Sequence, residues 1–293
     1  MILVHSWGVA GSIRDAGRVG RAALGAPRGG AVDSWSLALA NRLVGNAEDA
    51  VAFESSGGLD IEVVGSAAMV AVTGAQADMV VRDGPPLGWG NPQALPQGAR
   101  LRIGRLRTGA RVYLAVRGGL APGIDGQSDG RSDGQSGVRS GVRSGAELVV
   151  GDDPGTEVAG IAASPLPEPD RVTIWPGPRR NWFGRDAWRL LCSAEFVVSP
   201  ASDRVGVRLS GPLLQRVVHH ELPSEGVVEG AVQVPSDGHP IVMLADHPTT
   251  GGYPVIAVVD PRHVRHIAQL APGDVVRFSA TRQPTGGDSA LPR

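Results

Sequence analysis

The sequence contains no lysine; all 28 residues in its Lys+Arg count are arginine. That excludes a Schiff-base lysine, a Walker-type phosphate-binding lysine, and biotin or lipoate carried on a side chain of this polypeptide. Arginine can still clamp carboxylates and phosphates through its two-pronged fork. Cysteine is nearly absent as well. The single Cys192 cannot form an internal disulfide, so nothing calls for an oxidising compartment. It sits in the apolar stretch WRLLCSAEF and reads as a packed thiol. No apolar run approaches the roughly 20 residues of a membrane span. The opening MILVHSWGVAG has no basic leader and reads as a strand. Neither sign of charge is in excess, the net charge being -1, which leaves no global field toward nucleic acid or anionic lipid. These absences predict a cytoplasmic protein with neither a nucleic-acid nor a membrane partner.

What is abundant is glycine, 42 residues, and proline, 23, which together mark many tight turns. Between them recur short apolar runs rich in Val and Ile: IEVV (61–64), AMVAV (68–72), DMVV (78–81), RVYLAV (111–116), GVRL (206–209), IVMLA (241–245), VIAVV (255–259) and VVRF (275–278). Each is too short for a helix and suits a strand, so the fold class predicted is mainly β, with barrel-like or sandwich sheets. Three helices are expected. DSWSLALANRLVG (33–45) has Asp33 as cap and Gly45 past its end; DPRHVRHIAQL has Asp260 as cap and Pro261 at the first turn; RDAWRLLCS (185–193) is the third.

At about 150 residues per domain, 293 residues suggest two. The tetrapeptide repeat at 123–145 has almost no apolar content and is expected to be a mobile loop. Its GQSDG and GRSDG match the G-x-S-x-G nucleophile signature formally but lack the strand-to-helix turn that signature needs. The polar, Pro-rich stretch 151–171 reads as a linker. The expected domains are therefore 1–160 and 171–280, both β-barrel-like.

Two blocks carry a family resemblance. SIRDAGRVGRAALGAPRGGAVDSWSLALANRLVGN (12–46), followed by AFES (52–55), is the first. LPSEGVVEGAVQVPSDGHPIVMLADHPTTGGYPVIAVV (222–259), closing with LAPGDVVRF (270–278), is the second. Together with ARVYLAVRGG (110–119) they resemble the family of allophanate hydrolase subunit 2, the C subunit of 5-oxoprolinase and the urea carboxylase carboxyltransferase region. The resemblance implies a cyclophilin-like barrel in the C-terminal domain and a subunit 1 (KipI-like) homologue as partner, with the active cleft between the two chains. It implies a small urea-like or lactam substrate and a subunit of an ATP-dependent amide or lactam C–N hydrolase, with ATP bound by the complex. Two other readings stay open. One is the carboxyltransferase component of a urea carboxylase system, with biotin on another chain. The other is a non-catalytic regulator that binds a kinase-inhibitor homologue. The chain departs from the family pattern at Arg14, at Gly29, at DRVG (203–206) and at His247–Pro248. The family's G-S-R-S-T segment is not recognisable where the repeat stands.

The residues themselves suggest chemistry in two places. In the bend RDAGR, Asp15 and Arg18 either form an internal ion pair or present Arg18 to an anion, with Gly17 and Gly20 allowing close backbone approach. Asp33 and Asn41 share one helix face as substrate-binding candidates, beside their readings as cap and structural amide. Glu54, after an apolar run, is a candidate acid or base at a strand end. Near the C-terminus Glu225 and Gln233 are expected to bind substrate, Asp246 ends a strand as a candidate catalytic carboxylate, and Thr249, Thr250, Gly251, Gly252 and Tyr253 form a polar loop. Thr250 and Tyr253 are assigned to catalysis there, Thr249 and the two glycines to cradling an oxyanion or planar amide. No metal site is expected, because His263 and His266 are flanked by arginines and His239 and His247 lack a third ligand.

Overall fold

The computed structural model describes residues 1–122, 144–162 and 171–281. All but the last two residues of the repeat at 123–145 lie outside them. The chain divides into two compact units, Met1–Pro167 and Glu168–Arg293. Both are mainly β.

Unit 1 contains β1 (Ile2–Ser6), β2 (Ser12–Arg14), helix α1 (Ser34–Leu43), β3 (Ala52–Ser55), β4 (Leu59–Val63), β5 (Ala68–Arg82), β6 (Gln93–Leu95), β7 (Arg100–Val116), β8 (Leu120–Pro122) and β9 (Ala146–Val150). They form a nine-stranded sheet in the order β2-β3-β7-β4-β1-β9-β8, with β5 on β7 and β6 on β5. The runs AMVAV and DMVV, which look separate in the sequence, are two ends of the 15-residue β5. It pairs with the 17-residue β7 along its whole length. The register shifts between Gly74 and Met79. These irregularities break the alternation that would have revealed one long strand.

Both faces of this sheet are covered, which is why AMVAV and RVYLAV are apolar without alternating. Val70, Val72, Val112 and Leu114 enter the larger core with Ile2, Ile61 and Leu101. Ala71, Tyr113 and Ala115 point the other way, against Leu37, Ala40 and Leu43 of α1. The small alanines let the helix approach the sheet. Leu37 is fully enclosed, so Leu37→Ala would cost about 2–5 kcal/mol.

The α1 cap is as the sequence predicts. Asp33 accepts from the Ser36 backbone N–H at 3.0 Å and from the Ser36 hydroxyl at 2.6 Å. Gly45 takes the left-handed conformation past the end, at φ 76°. The stretch expected to be a linker from residue 151 is, up to 162, a strap across this helix end. Ala159 N–H donates to Leu43 O, Arg117 Nη1 to Val44 O at 2.8 Å, and Thr156 Oγ1 to Gly45 O. The carbonyls a helix leaves open at its C-terminus are thus satisfied by residues far along the chain.

Unit 2 contains β10 (Val172–Pro176), α2 (Arg185–Ser193), β11 (Glu195–Val198), β12 (Gly206–Ser210), β13 (Glu225–Gly226), β14 (Ala231–Gln233), β15 (Ile241–Met243), β16 (Thr250–Gly251), β17 (Val255–Val259), α3 (Pro261–Ala268) and β18 (Val275–Ala280). Seven strands close into a barrel, β10-β17-β14-β15-β12-β11-β18, and the parallel pair of β10 and β18 seals it. Closure removes the exposed edges. Ile174, Phe196, Val232, Val242, Ile256 and Phe278 are fully buried. The separate ribbon β13–β16 pairs Glu225 with Gly251 and Gly226 with Thr250. Among the described residues no helix is long and apolar enough to cross a membrane.

Candidate functional site

In unit 1, strand register builds a buried polar row. Ser12 lies opposite Glu54, Glu54 opposite Tyr113, and Tyr113 opposite Thr73. The four side chains cross β2, β3, β7 and β5 on the α1 side of the sheet, and all are buried. Each finds a partner, as buried polar groups must. Glu54 Oε2 accepts from Val32 N–H at 3.1 Å and from the Tyr113 hydroxyl at 2.9 Å. Tyr113 accepts in turn from Asp33 N–H at 2.8 Å, and Thr73 donates to Ser36 O at 2.6 Å. Arg111 Nη1 stands 3.8 Å from Glu54 Oε1, and Arg14 Nε donates to Ser12 Oγ at 2.9 Å. Burial, then the negative charges of Glu54 and Asp33, push the Tyr113 phenol well above its ordinary value. Glu54 therefore lies within the sheet, ringed by Tyr113, Val32 and Arg111, with none of its surface exposed.

The bend 15–18 packs back to back with 28–31. Arg18 N–H donates to Arg28 O at 2.7 Å and Ala31 N–H to Asp15 O at 2.8 Å. A Cβ at Gly17 would sit 2.6 Å from Gly29 O, and one at Gly30 would sit 2.4 Å from Gly17 N. Only glycine fits this contact, and both have positive φ. Asp15 Oδ1 accepts from Gly17 N–H at 2.8 Å and so stabilises the turn. Arg18 Nε and Nη2 are buried and have no hydrogen-bond partner among the described residues. Burial also pulls the Arg28 guanidinium below its ordinary value. Asn41 is spent elsewhere: its Nδ2 donates to Glu48 O and Ala50 O, and its Oδ1 accepts from Asn46 Nδ2 at 3.1 Å. It ties the loop after α1 and is not brought to the Arg18 bend.

In unit 2, one end of the barrel gathers most of the candidates. Glu225 Oε2 accepts from Arg179 Nε at 2.9 Å and Nη2 at 2.7 Å. Gly251, opposite Glu225 in the ribbon, leaves so little room that a Cβ would lie 2.9 Å from Gln233 Nε2. That Gln233 nitrogen donates to Tyr253 O at 3.2 Å. Thr250, Gly252 and Tyr253 are exposed and Thr249 is half-buried. The polar loop is therefore a short paired strand with a free tip. Its backbone is partly committed to β13, and Val227 N–H also donates to Thr249 O at 3.0 Å. It offers hydroxyls and the Tyr253 ring, where a tight glycine turn would have offered an open nest of N–H groups.

Asp246 is not part of this group. It lies three residues beyond Met243, whereas Gln233 pairs with Ile241 at the other end of β15. There it accepts from Arg204 Nε at 2.8 Å and Nη2 at 3.2 Å. His247 Nδ1 lies 2.8 Å from Pro248 O. Among the described residues no cluster of three or more His, Cys, Asp or Glu is placed to hold a metal ion.

Two arginines near the ribbon went unnoticed in the sequence. Arg179 holds Glu225 from 46 residues away. Arg216 donates through Nη2 to Val234 O, has a buried Nε without a partner among the described residues, and is drawn below its ordinary value by burial, against the opposing charges of Tyr253 and Asp237. No local motif marks either, because both are defined by contacts made through the barrel closure.

Comparison with known proteins agrees with this architecture. The model of the carboxyltransferase domain, subdomain A and B, matches residues 24–280. The C subunit of 5-oxoprolinase from Escherichia coli (strain K12) is 33% identical over 283 residues, covering 95% of this chain and 90% of that one. The urea amidolyase of Saccharomyces cerevisiae (strain ATCC 204508 / S288c) is 28% identical over 295 residues, covering 91% of this chain but 16% of that protein. The crystal structure of TTHA0988 superposes with a TM-score of 0.80 at 33% identity, over 95% of this chain and 55% of that one, so the chain spans about half of its length. The chain belongs to the family of the carboxyltransferase domain, subdomains A and B.

Proposed function

We propose that this chain is a subunit of an ATP-dependent C–N hydrolase acting on a lactam or urea-like substrate, with 5-oxoproline the first choice, and that it works with a subunit 1 homologue in the cytoplasm. The observation that carries this reading is Arg18, whose Nε and Nη2 are buried and without a hydrogen-bond partner among the described residues. A desolvated guanidinium edge wants an anion, and the carboxylate of 5-oxoproline or a phosphate oxygen supplies one. The relatives add support, since the Escherichia coli protein is named as the C subunit of 5-oxoprolinase.

In this reading ATP activates the amide oxygen, and the charge that develops there is stabilised electrostatically. The closed barrel is read as cyclophilin-like. With no lysine in the chain, any biotin belongs to another polypeptide. The test is co-purification with the subunit 1 homologue, followed by ATP hydrolysis with 5-oxoproline, urea or allophanate. Substrate-dependent hydrolysis that falls sharply in Arg18→Met, through a raised KM, supports the reading. Hydrolysis with none of the three substrates, or full activity of this chain alone, refutes it.

A further inference from the structure

Between the two packed bends of unit 1 the chain leaves the body of the fold. Residues 19–25, with the sequence VGRAALG, are all exposed. A Cβ added at Gly20 or at Gly25 would meet nothing within 4 Å, so both positions face open space. The base of this arm is pinched shut, with Arg18 N–H on Arg28 O at 2.7 Å and Gly17 against Gly30. Its tip is ordered by its own hydrogen bonds. Ala22–Leu24 form a single 3-10 turn, in which Leu24 N–H donates to Arg21 O at 3.0 Å and Gly25 N–H to Ala22 O at 2.9 Å. Gly25 closes the turn in the left-handed conformation, at φ 74°.

What the arm displays is apolar. Leu24 is 82% exposed and Val19 74%, with Ala22 and Ala23 exposed between them. An apolar side chain exposed singly is ordinary, but four within seven ordered residues mark a contact surface. A tip held in shape beforehand also loses little freedom when it docks. The charge around it has one sign. Between Asp15 and Asp33 stand Arg18, Arg21 and Arg28 and no acid, in a chain whose net charge is -1. The complementary surface is therefore an apolar pocket rimmed by carboxylates. Two large apolar side chains are few for a lipid anchor, which needs a broad apolar face, so a protein is the better match. The relatives point to a different chain rather than a second copy. The Escherichia coli protein is named as a subunit, and TTHA0988 carries nearly half of its length beyond the part that matches.

We propose that the arm at 19–25 is a docking element, which inserts Leu24 and Val19 into an acid-rimmed apolar pocket of the subunit 1 homologue. This rests on the reading that the chain works with that subunit, and it assigns the contact to named residues. Arg21 at the tip meets the acidic rim. Arg18 stands at the base of the arm, so a partner seated on the tip walls its guanidinium off from water, and the anion site lies at the subunit boundary.

The test titrates the full chain with separately purified subunit 1 homologue in a calorimeter. Leu24→Asp is expected to raise Kd about 10- to 100-fold, the worth of burying one leucine side chain, with an unchanged melting temperature, because Leu24 packs on nothing in its own chain. Leu24→Met should keep most of the affinity. Arg21→Glu should weaken binding and flatten its dependence on salt. Ile161→Asp, at a site 75% exposed elsewhere in unit 1, should leave Kd as it was. An unchanged Kd in Leu24→Asp, an equal loss in Ile161→Asp, or no complex between the unmutated chains overturns the proposal. So does self-association of the chain that Leu24→Asp abolishes, or Leu24-dependent sedimentation with phosphatidylglycerol–phosphatidylcholine vesicles. ATP hydrolysis with 5-oxoproline is read separately. A complex that needs Leu24 but hydrolyses no ATP keeps the arm and removes the hydrolase reading. Hydrolysis by a complex that Leu24→Asp leaves intact does the opposite.

Discussion

Tyr113 and Glu54 share one hydrogen: the phenol donates to Glu54 Oε2 at 2.9 Å, and the same oxygen of Tyr113 accepts the Asp33 N–H at 2.8 Å. The pair pins the entry of α1 to the centre of the sheet. Tyr113→Phe leaves a buried carboxylate oxygen and a buried N–H each short of one partner. The expected loss is about 1–3 kcal/mol, seen as a lower urea midpoint with an unchanged m-value. Alkaline stability gives a second reading. The folded phenol titrates above its ordinary value because of burial and then the charges of Glu54 and Asp33. The unfolded phenol ionises near pH 10. Stability from this group is therefore complete below about pH 10 and lost as pH rises toward the folded value. The phenylalanine variant should lose stability less steeply over that range; an identical slope would show that Tyr113 is not the group responsible.

The glycine contact at the Arg18 bend separates strain from mere conformational preference. Gly17, Gly20 and Gly30 all have positive φ, yet a Cβ at Gly20 meets nothing within 4 Å. Gly20→Ala is expected to cost about 1 kcal/mol, while Gly17→Ala and Gly30→Ala must also separate two backbones. Thermal melts should place the latter two well below Gly20→Ala, and substrate KM should rise in them through displacement of Arg18. Equal melting temperatures for all three would contradict the back-to-back packing.

Asn41 gives a prediction that distinguishes architecture from chemistry. Its amide makes hydrogen bonds to Glu48, Ala50 and Asn46 and is fully buried. Asn41→Ala should therefore lower stability by about 1–3 kcal/mol and leave KM and kcat of the folded complex as they were. A large KM effect without a stability change would return Asn41 to the substrate.

Local chemistry made the helices legible. Asp33 and Asp260 both cap as their positions suggest, and α2 spans the run read for it. Sheet order was not legible, because β5 and β7 are each one strand only by virtue of the other. The site divides the same way. Arg18 announced itself between two glycines. Arg179 and Arg216 did not, since one meets Glu225 only across the chain and the other meets Val234 only after the barrel closes. Asp246 looked like a free strand-end carboxylate because Arg204 reaches it through the β12–β15 register. The stretch 151–162 looked like a linker because it bonds the carbonyls of Leu43 and Gly45, more than a hundred residues earlier.

The α3 helix gives the chain an acid-sensitive element. Burial first, then the positive charges of Arg265 and His263, lower His266 to about 4. His263 is lowered too, chiefly by burial and against the pull of Asp260, and its Nδ1 lies 2.8 Å from the Thr173 nitrogen, whose N–H it accepts. That bond needs an unprotonated ring. In the unfolded chain both histidines titrate near 6.5, so the unfolded state takes up protons first as pH falls. Stability is complete above about pH 6.5 and declines toward pH 4. The His266 ring is only half-buried, and solvent screening reduces the expected loss to about 1 kcal/mol. Urea unfolding at pH 7.5, 6 and 5 should show this decline, and His266→Gln should flatten it. If the variant declines as steeply as the unmutated chain, the acid sensitivity lies outside α3.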